Sequence, residues 1–356
     1  MTLRVIIYRL GVIPLLLLLC ILAACSQQDL DLEEQGMVSL KVLASPGTKA
    51  GEGGTATATL HDKETDIFDL SIFIFNSNGD VIGFTSKDFS DGKPTAVEVK
   101  TRKETGCSVY AVANAKTLNG TSPFDGVSTL SVFKTKYLSF ADAKALDNAS
   151  CLLMMGVSSN FDTSSASSAS PAIITLKRLA SRIDYTITVK NDNATTFPIV
   201  VDSYRLCHVP TSTFYQQSDI TNPSTVFADF DKVPTSISSG AAATSAGPYY
   251  VYANTDPLKE TYLDIQAHSE VQGAGGTKYT VWKSNFKVEM PGKQVLPNYH
   301  YKIDIVINGS AKGKDGGVIT TYKAYPFFSD GNLDPWNDHW DGDKGEVKID
   351  FDYEEK

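Results

Sequence analysis

Five histidines, His61, His208, His268, His300 and His339, are scattered over 356 residues without ligand spacing, and the five cysteines include no Cys-x-x-Cys pair. A nucleophile elbow, a P-loop, a His-Glu-x-x-His run and a Cys-His arrangement are all missing. The common hydrolase, nucleotide-binding and zinc-protease chemistries therefore have no footing here. Lysine and arginine (32) are outnumbered by aspartate and glutamate (41), giving a net charge of -9. With no stretch basic enough to follow a phosphate backbone, nucleic acid is not an expected partner. Amphipathic helix is nearly absent, which argues against a helical bundle. The expectation is a non-enzyme with no cofactor and no metal site.

What is present starts at the amino end. Arg4 and Arg9 precede an apolar run that closes in Leu22-Ala23-Ala24-Cys25. This is the layout of a secretory signal, and the run is shorter than the roughly 20 residues a membrane span needs. The position of Cys25 resembles the bacterial lipoprotein signal, which implies that residues 1–24 are removed and Cys25 is acylated. That cut takes away two positive charges, moving the net charge from -9 to -11. Ser26 to Glu34 carries four acids and forms an acidic tether or a solvated linker. Cys20 leaves with the signal, and Cys107, Cys151 and Cys207 remain as an odd set. Buried apolar thiols are expected of them rather than a disulfide framework.

Beyond the signal the hydrophobic pattern has period two. Val38, Leu40 and Val42 alternate with Ser39 and Lys41, as in a strand with one buried face. Leu70 to Phe75 is apolar on nearly both faces and runs into Asn76-Ser77-Asn78-Gly79, which predicts a central strand and a tight hairpin. Cys107 to Asn114 reads as another buried strand. Ser139 ahead of Phe140 to Leu146 predicts a short helix with Ser139 as its N-cap. The small polar stretch 162–171 is the best domain boundary on composition. After it, Ile183, Tyr185, Ile187 and Val189 alternate again, as do Tyr279 to Trp282 and Tyr301 to Ile307. Short strands divided by Gly, Pro and Asn clusters imply an all-β protein with a few short helices. Two tandem β-sandwich domains are expected, over residues 50–165 and 166–356.

Several landmarks, in order and nearly end to end, resemble the fimbrillins of Bacteroidales, the type V pilus subunits of the FimA and Mfa kind. Thr48-Lys49-Ala50 looks like their Thr-Arg-Ala processing site, with lysine in place of arginine. Asp69 to Gly79 resembles their early strand and Asn-Gly turn, and Val109 to Ala115 their valine-rich strand. Leu153-Met154-Met155-Gly156 resembles their Pro-Met-Ser-Gly segment without its proline. Ile174-Thr175-Leu176-Lys177-Arg178-Leu179-Ala180-Ser181-Arg182-Ile183 is the nearest likeness, and Pro297 to Tyr301 resembles the start of a late strand. The resemblance implies transthyretin-like sandwiches, export as a lipoprotein held in the outer membrane by Cys25, and cutting between Lys49 and Ala50 by a processing protease. Residues 25–49 would then be a propeptide containing the first strand.

The last residues add their own pattern. Val347, Ile349, Phe351 and Tyr353 alternate with charged residues, copying Val38, Leu40 and Val42. The tail 345–356 is thus a candidate donor strand for the place that Val38, Leu40 and Val42 vacate in another subunit. Head-to-tail contacts of this kind build a homopolymeric filament at the cell surface. The alternatives are a non-polymerising tip or anchor lipoprotein of the fimbria, or a glycan-binding surface lipoprotein. The last would use the acidic loop Ser329 to Asp343, where Trp336 and Trp340 could stack on sugar. The same loop is rich in oxygen ligands, but its spacing departs from an EF-hand and a Trp-anchored acidic loop is the default.

Overall fold

The computed structural model describes residues 37–46, 61–163, 172–191, 199–216, 226–256, 258–272, 274–309, 317–326 and 345–347. The chain begins with β1 (Met37–Pro46), β2 (Asp69–Phe75), β3 (Val81–Asp88), β4 (Val97–Arg102) and β5 (Cys107–Ala113). A mixed excursion follows, made of α1 (Ala115–Asn119), α2 (Leu130–Lys134), β6 (Tyr137–Ser139) and α3 (Lys144–Asn148). Then β7 (Met154–Phe161) and β8 (Ala172–Arg178) complete the first unit.

Pairing runs β1-β4-β3-β2-β5-β7-β8 and returns to β1. Two junctions of this ring are thin. β3 meets β4 only at Gly83↔Thr101, and β7 meets β8 only at Met154↔Arg178 and Met155↔Lys177. The unit is therefore a sandwich, β3-β2-β5-β7 over β4-β1-β8, folded at two corners. Each corner holds a glycine because the opposing backbone comes too close for a side chain. A Cβ on Gly83 would lie 2.9 Å from the Lys100 carbonyl oxygen, and one on Gly156 would lie 2.4 Å from that of Thr175.

The second unit continues with β9 (Ala180–Asn191), β10 (Ile199–Cys207), β11 (Val209–Pro210), β12 (Ser212–Phe214) and β13 (Phe227–Ala228). It goes on through β14 (Val233–Ser238), β15 (Thr244–Tyr252), β16 (Tyr262–Gln272) and β17 (Lys278–Glu289). The last strands are β18 (Tyr299–Gly309), β19 (Gly317–Pro326) and β20 (Gly345–Val347). Sheet β14-β10-β16-β17 packs on sheet β15-β9-β18-β19-β20. The alternation at Ile183, Tyr185, Ile187 and Val189 puts all four in the core between these sheets, with Val201, Ile265 and Ile303.

Three cores result. Leu70, Ile72 and Ile74 of β2 face the interior of the first sandwich with Val99, Val109, Ile174 and Leu176. Phe73 and Phe75, on the other face of β2, enter a third cluster with Tyr110, Phe124 and Phe133. Tyr215, Tyr250 and Tyr252 of the second sandwich complete that cluster. This explains why β2 reads as apolar on both faces: one side is sandwich core, and the other is roofed by α1, α2 and the neighbouring unit. The hairpin after β2 forms as expected, with Asn76 Oδ1 accepting from the backbone of Asn78 and Asp80.

Two expectations are corrected. The helix predicted over 140–146 begins instead at Lys144, with Asp142 Oδ1 accepting from Ala145 N at 2.9 Å. Ser139 is the end of β6, which pairs with β12 at Ser212↔Ser139, so a distant strand overrides the local capping preference. The first sandwich also runs past residue 165. β8 pairs with β1 and β7, so the hand-over between sandwiches falls at Leu179, between β8 and β9.

Candidate assembly site

β1 fills a slot between two strands that barely touch the rest of their ring. It pairs antiparallel with β4 from Met37↔Arg102 to Val42↔Val97, and parallel with β8 from Val42↔Ala172 to Pro46↔Leu176. Directly opposed residues lie on one face of a sheet. Positions 38, 40 and 42 stand opposite Thr101, Val99 and Val97, and positions 44 and 46 opposite Ile174 and Leu176. All five partners are buried. Alternate register positions of β1 thus stand opposite core residues of both neighbouring strands. On the solvent side the slot walls are Glu98, Lys100 and Arg102 of β4, and Ile173, Thr175 and Lys177 of β8, all exposed.

β4 has six register pairs with β1 and a single one with β3. Withdrawing β1 would unpair most of the β4 ladder and the parallel ladder of β8, and would open the core beside Val99 and Leu176. An empty slot is consequently a high-energy arrangement, since unmet backbone groups and exposed core both cost free energy.

At the far end, β20 adds to the edge of its own sheet, antiparallel to β19 with Val318↔Val347, Ile319↔Glu346 and Thr320↔Gly345. Of the candidate donor residues only Val347 is placed. Ile349, Phe351 and Tyr353 lie outside the described residues, as do Cys25, Lys49, Ala50, His339 and the loop 329–343.

The stretch leading into β2 ties the two sandwiches together, a feature that sequence patterning did not predict. Glu64 is fully buried. Its Oε1 accepts from Tyr250 Oη at 2.7 Å and faces Arg182 Nη1 at 3.4 Å, while Oε2 accepts from His61 N at 2.9 Å. The Glu64 carbonyl accepts from Arg178 Nη2. Burial pushes the Arg178 guanidinium down to about 9, with Glu64 opposing the shift. Lys63 Nζ donates to the Asp147 carbonyl at 2.6 Å at the end of α3 and lies 4.0 Å over the Tyr250 ring. The one available clue was the pair of arginines in the 174–183 stretch: both reach Glu64 from the β8–β9 junction.

The remaining histidines and thiols are dispersed. His208 packs edge-on against Tyr262, His268 pairs with Asp202 at 2.6 Å, and His300 contacts Asp184. Cys107, Cys151 and Cys207 are buried and unpaired, as expected. Burial pushes the thiols of Cys151 and Cys207 up to about 12 and about 11. Among the described residues no three His, Cys, Asp or Glu side chains gather into a metal-type cluster.

Residues 37–196 match the family model of the major fimbrial subunit protein FimA. No curated protein matches the chain. A fimbrilin (FimA) of Porphyromonas gingivalis W83 is 14% identical, with a TM-score of 0.52 over 83% of this chain and 98% of its own. The tip fimbrial protein Mfa3 of the same species is also 14% identical, with a TM-score of 0.51 over 82% of this chain and 99% of its own. A protein of Bacteroides eggerthii assigned to cell adhesion is 18% identical, with a TM-score of 0.58 over 83% of this chain and 96% of its own. At these identities the likeness is one of fold.

Proposed function

Since residues 37–196 match the family model of the FimA major fimbrial subunit and the described chain shares its fold with fimbrial proteins, we propose that this protein is a structural subunit of a cell-surface fimbria, polymerised by strand exchange and serving adhesion. The chain is exported as a lipoprotein precursor acylated on Cys25 and held in the outer membrane. A processing protease cuts after Lys49, and residues 25–49 depart with β1. The tail of a neighbouring copy then occupies the slot between β4 and β8, and the subunits join head to tail. The observation that carries this reading is the dependence of β4 on β1 for nearly all of its pairing. A sandwich so built needs an occupant in that slot but does not need its own.

The energetics are adequate. Burying Val347, Ile349, Phe351 and Tyr353 at about 1.5–3 kcal/mol each gives roughly 6–12 kcal/mol gross, before ladder bonds and ordering costs. A second reading, an anchor subunit that keeps its lipid and its own β1, is favoured by lysine where the family resemblance puts arginine.

The amino terminus of surface-extracted protein separates the two readings. Ala50 together with a ladder of bands in unboiled samples supports the polymerising subunit. An acylated Cys25 with a single band overturns it in favour of the anchor.

A further inference from the structure

Building on the strand-exchange reading, we infer that the donor tail enters the slot in one register, with Lys348 opposite Glu98 and Glu346 opposite Lys100 of the acceptor. Three observations fix this alignment: the charges on the slot walls, the alternation of the tail, and the ladder made by β1.

The solvent side of the slot is basic and poorly matched by its present occupant. Lys100, Arg102 and Lys177 are exposed, and none of them makes an ion pair among the described residues. The only charge on residues 37–46 is Lys41, opposite Glu98. The tail 345–356 carries five acids and two lysines, a net charge of -3. Opposite charges directly across a strand pair are favourable and like charges are not.

Alternation allows only even steps, because an odd one would turn Val347, Ile349, Phe351 and Tyr353 out to solvent. The apolar-Lys-apolar triplet Leu40-Lys41-Val42 recurs as Val347-Lys348-Ile349. Superposing the triplets retains the polarity of β1, antiparallel to β4 and parallel to β8. Lys348 then inherits the place of Lys41 opposite Glu98, and Glu346 takes that of Ser39 opposite Lys100. Val347 and Ile349 meet Val99 and Val97, while Phe351 and Tyr353 meet Ile174 and Leu176. One step past the last observed pair, Glu354 comes level with Lys177. Sliding by two residues spoils the match in either direction. One slide sets Glu346 opposite Glu98 and Lys344 opposite Lys100, and the other sets Asp350 and Lys348 there.

This alignment uses residues that β20 holds against β19 in the free subunit. Gly345 to Val347 must leave a three-residue edge strand to join a slot whose present occupant is ten residues long. Short edge strands open readily, so β20 on β19 is the resting position of the donor.

The test uses the full chain displayed and processed at the cell surface, read as ladders in unboiled samples. Glu98→Lys and Lys348→Glu each lower polymer yield about tenfold, equivalent to ~1.4 kcal/mol, and combining them restores most of it. In a second arm, Val99→Cys with Val347→Cys gives subunit-to-subunit disulfides, whereas Val99→Cys with Ile349→Cys does not, because opposed positions alone come within bridging range. Additive losses in the double charge variant, or any other cross-linking pattern, overturn the register. If the ladder also survives deletion of residues 345–356, strand exchange itself is overturned; if deletion abolishes it, only the register falls.

Discussion

Tyr250, on β15 of the second sandwich, donates its hydroxyl to the buried carboxylate of Glu64 at 2.7 Å, immediately upstream of β2 in the first. Arg182 and Arg178 reach the same residue from the β8–β9 junction. The stretch from His61 is thus fixed between both sandwiches just after the segment where the proposed cut falls. Loss of residues 25–49 would leave this clamp intact, so the processed subunit keeps the relation between its two halves.

Tyr250→Phe removes one hydrogen bond to a buried carboxylate and leaves Glu64 Oε1 with the longer Arg182 contact. A loss of about 1–3 kcal/mol is expected, seen as a lower thermal midpoint with an unchanged fold by circular dichroism. An unchanged midpoint would mean that the clamp adds no stability.

Gly156→Ala places a Cβ against the Thr175 carbonyl and the Ile174 side chain. The β7–β8 corner must open to admit it, at a cost of ~1–3 kcal/mol. Hydrogen exchange is expected to accelerate in β7 and β8 ahead of the second sandwich. Uniform protection in both units would contradict the corner assignment.

Burial pushes the Asp147 carboxyl up to about 6, against the Tyr250 N–H and the nearby Lys63, which favour its charged form. An unfolded aspartate titrates near about 3.9, so between these values the folded chain holds the extra proton. The stability this group contributes is present at the acid end of that window and is lost as pH rises toward about 6. Asp184 runs the other way. Burial raises its pKa, but the His300 hydrogen bond and the Arg182 charge outweigh that and hold it low, so its share is lost as pH falls. Asp147→Asn can still accept from Tyr250 N, and it is expected to remove only the downward slope. Thermal midpoints of both forms across the window check this, and identical slopes would refute it.

Lys49→Ala is expected to keep residues 25–49 in place, leaving β1 in its slot and the surface protein as a lipid-bearing monomer. Lys49→Arg is expected to restore a mature chain starting at Ala50. Amino-terminal sequencing with unboiled gels reads both, and ladders from the alanine variant would contradict a cut at this bond.

Much of the β architecture was legible from period-two patterning, because one-sided burial imprints itself on alternate residues, as at Ile183 to Val189. β2 was legible as central for a related reason: nothing polar interrupts Ile72 to Phe75. The short helix was misplaced because Tyr137 to Ser139 pairs with Ser212 to Phe214, a contact that no local window contains. The sandwich boundary was set too early because composition marks loops, while β8 is joined to the first unit by pairing with β1, far away in sequence. Glu64 was invisible for another reason. A lone glutamate beside Lys63 and Asp62 looks like a solvated surface, and only the fold brings Arg178, Arg182 and Tyr250 to it. That residues 38–42 form a strand was legible from their alternation, whereas the charged neighbours Lys100, Arg102 and Lys177 became meaningful only with the register.

Removing the lending strand tests most directly whether subunits are joined by a borrowed one. Full-length protein and a form ending at residue 344 are compared by unboiled electrophoresis of sheared surface material. Export and cleavage at Lys49 are verified in both. The prediction is a ladder for the intact chain and free subunits for the shortened one. Ladders of equal length from the two would contradict it.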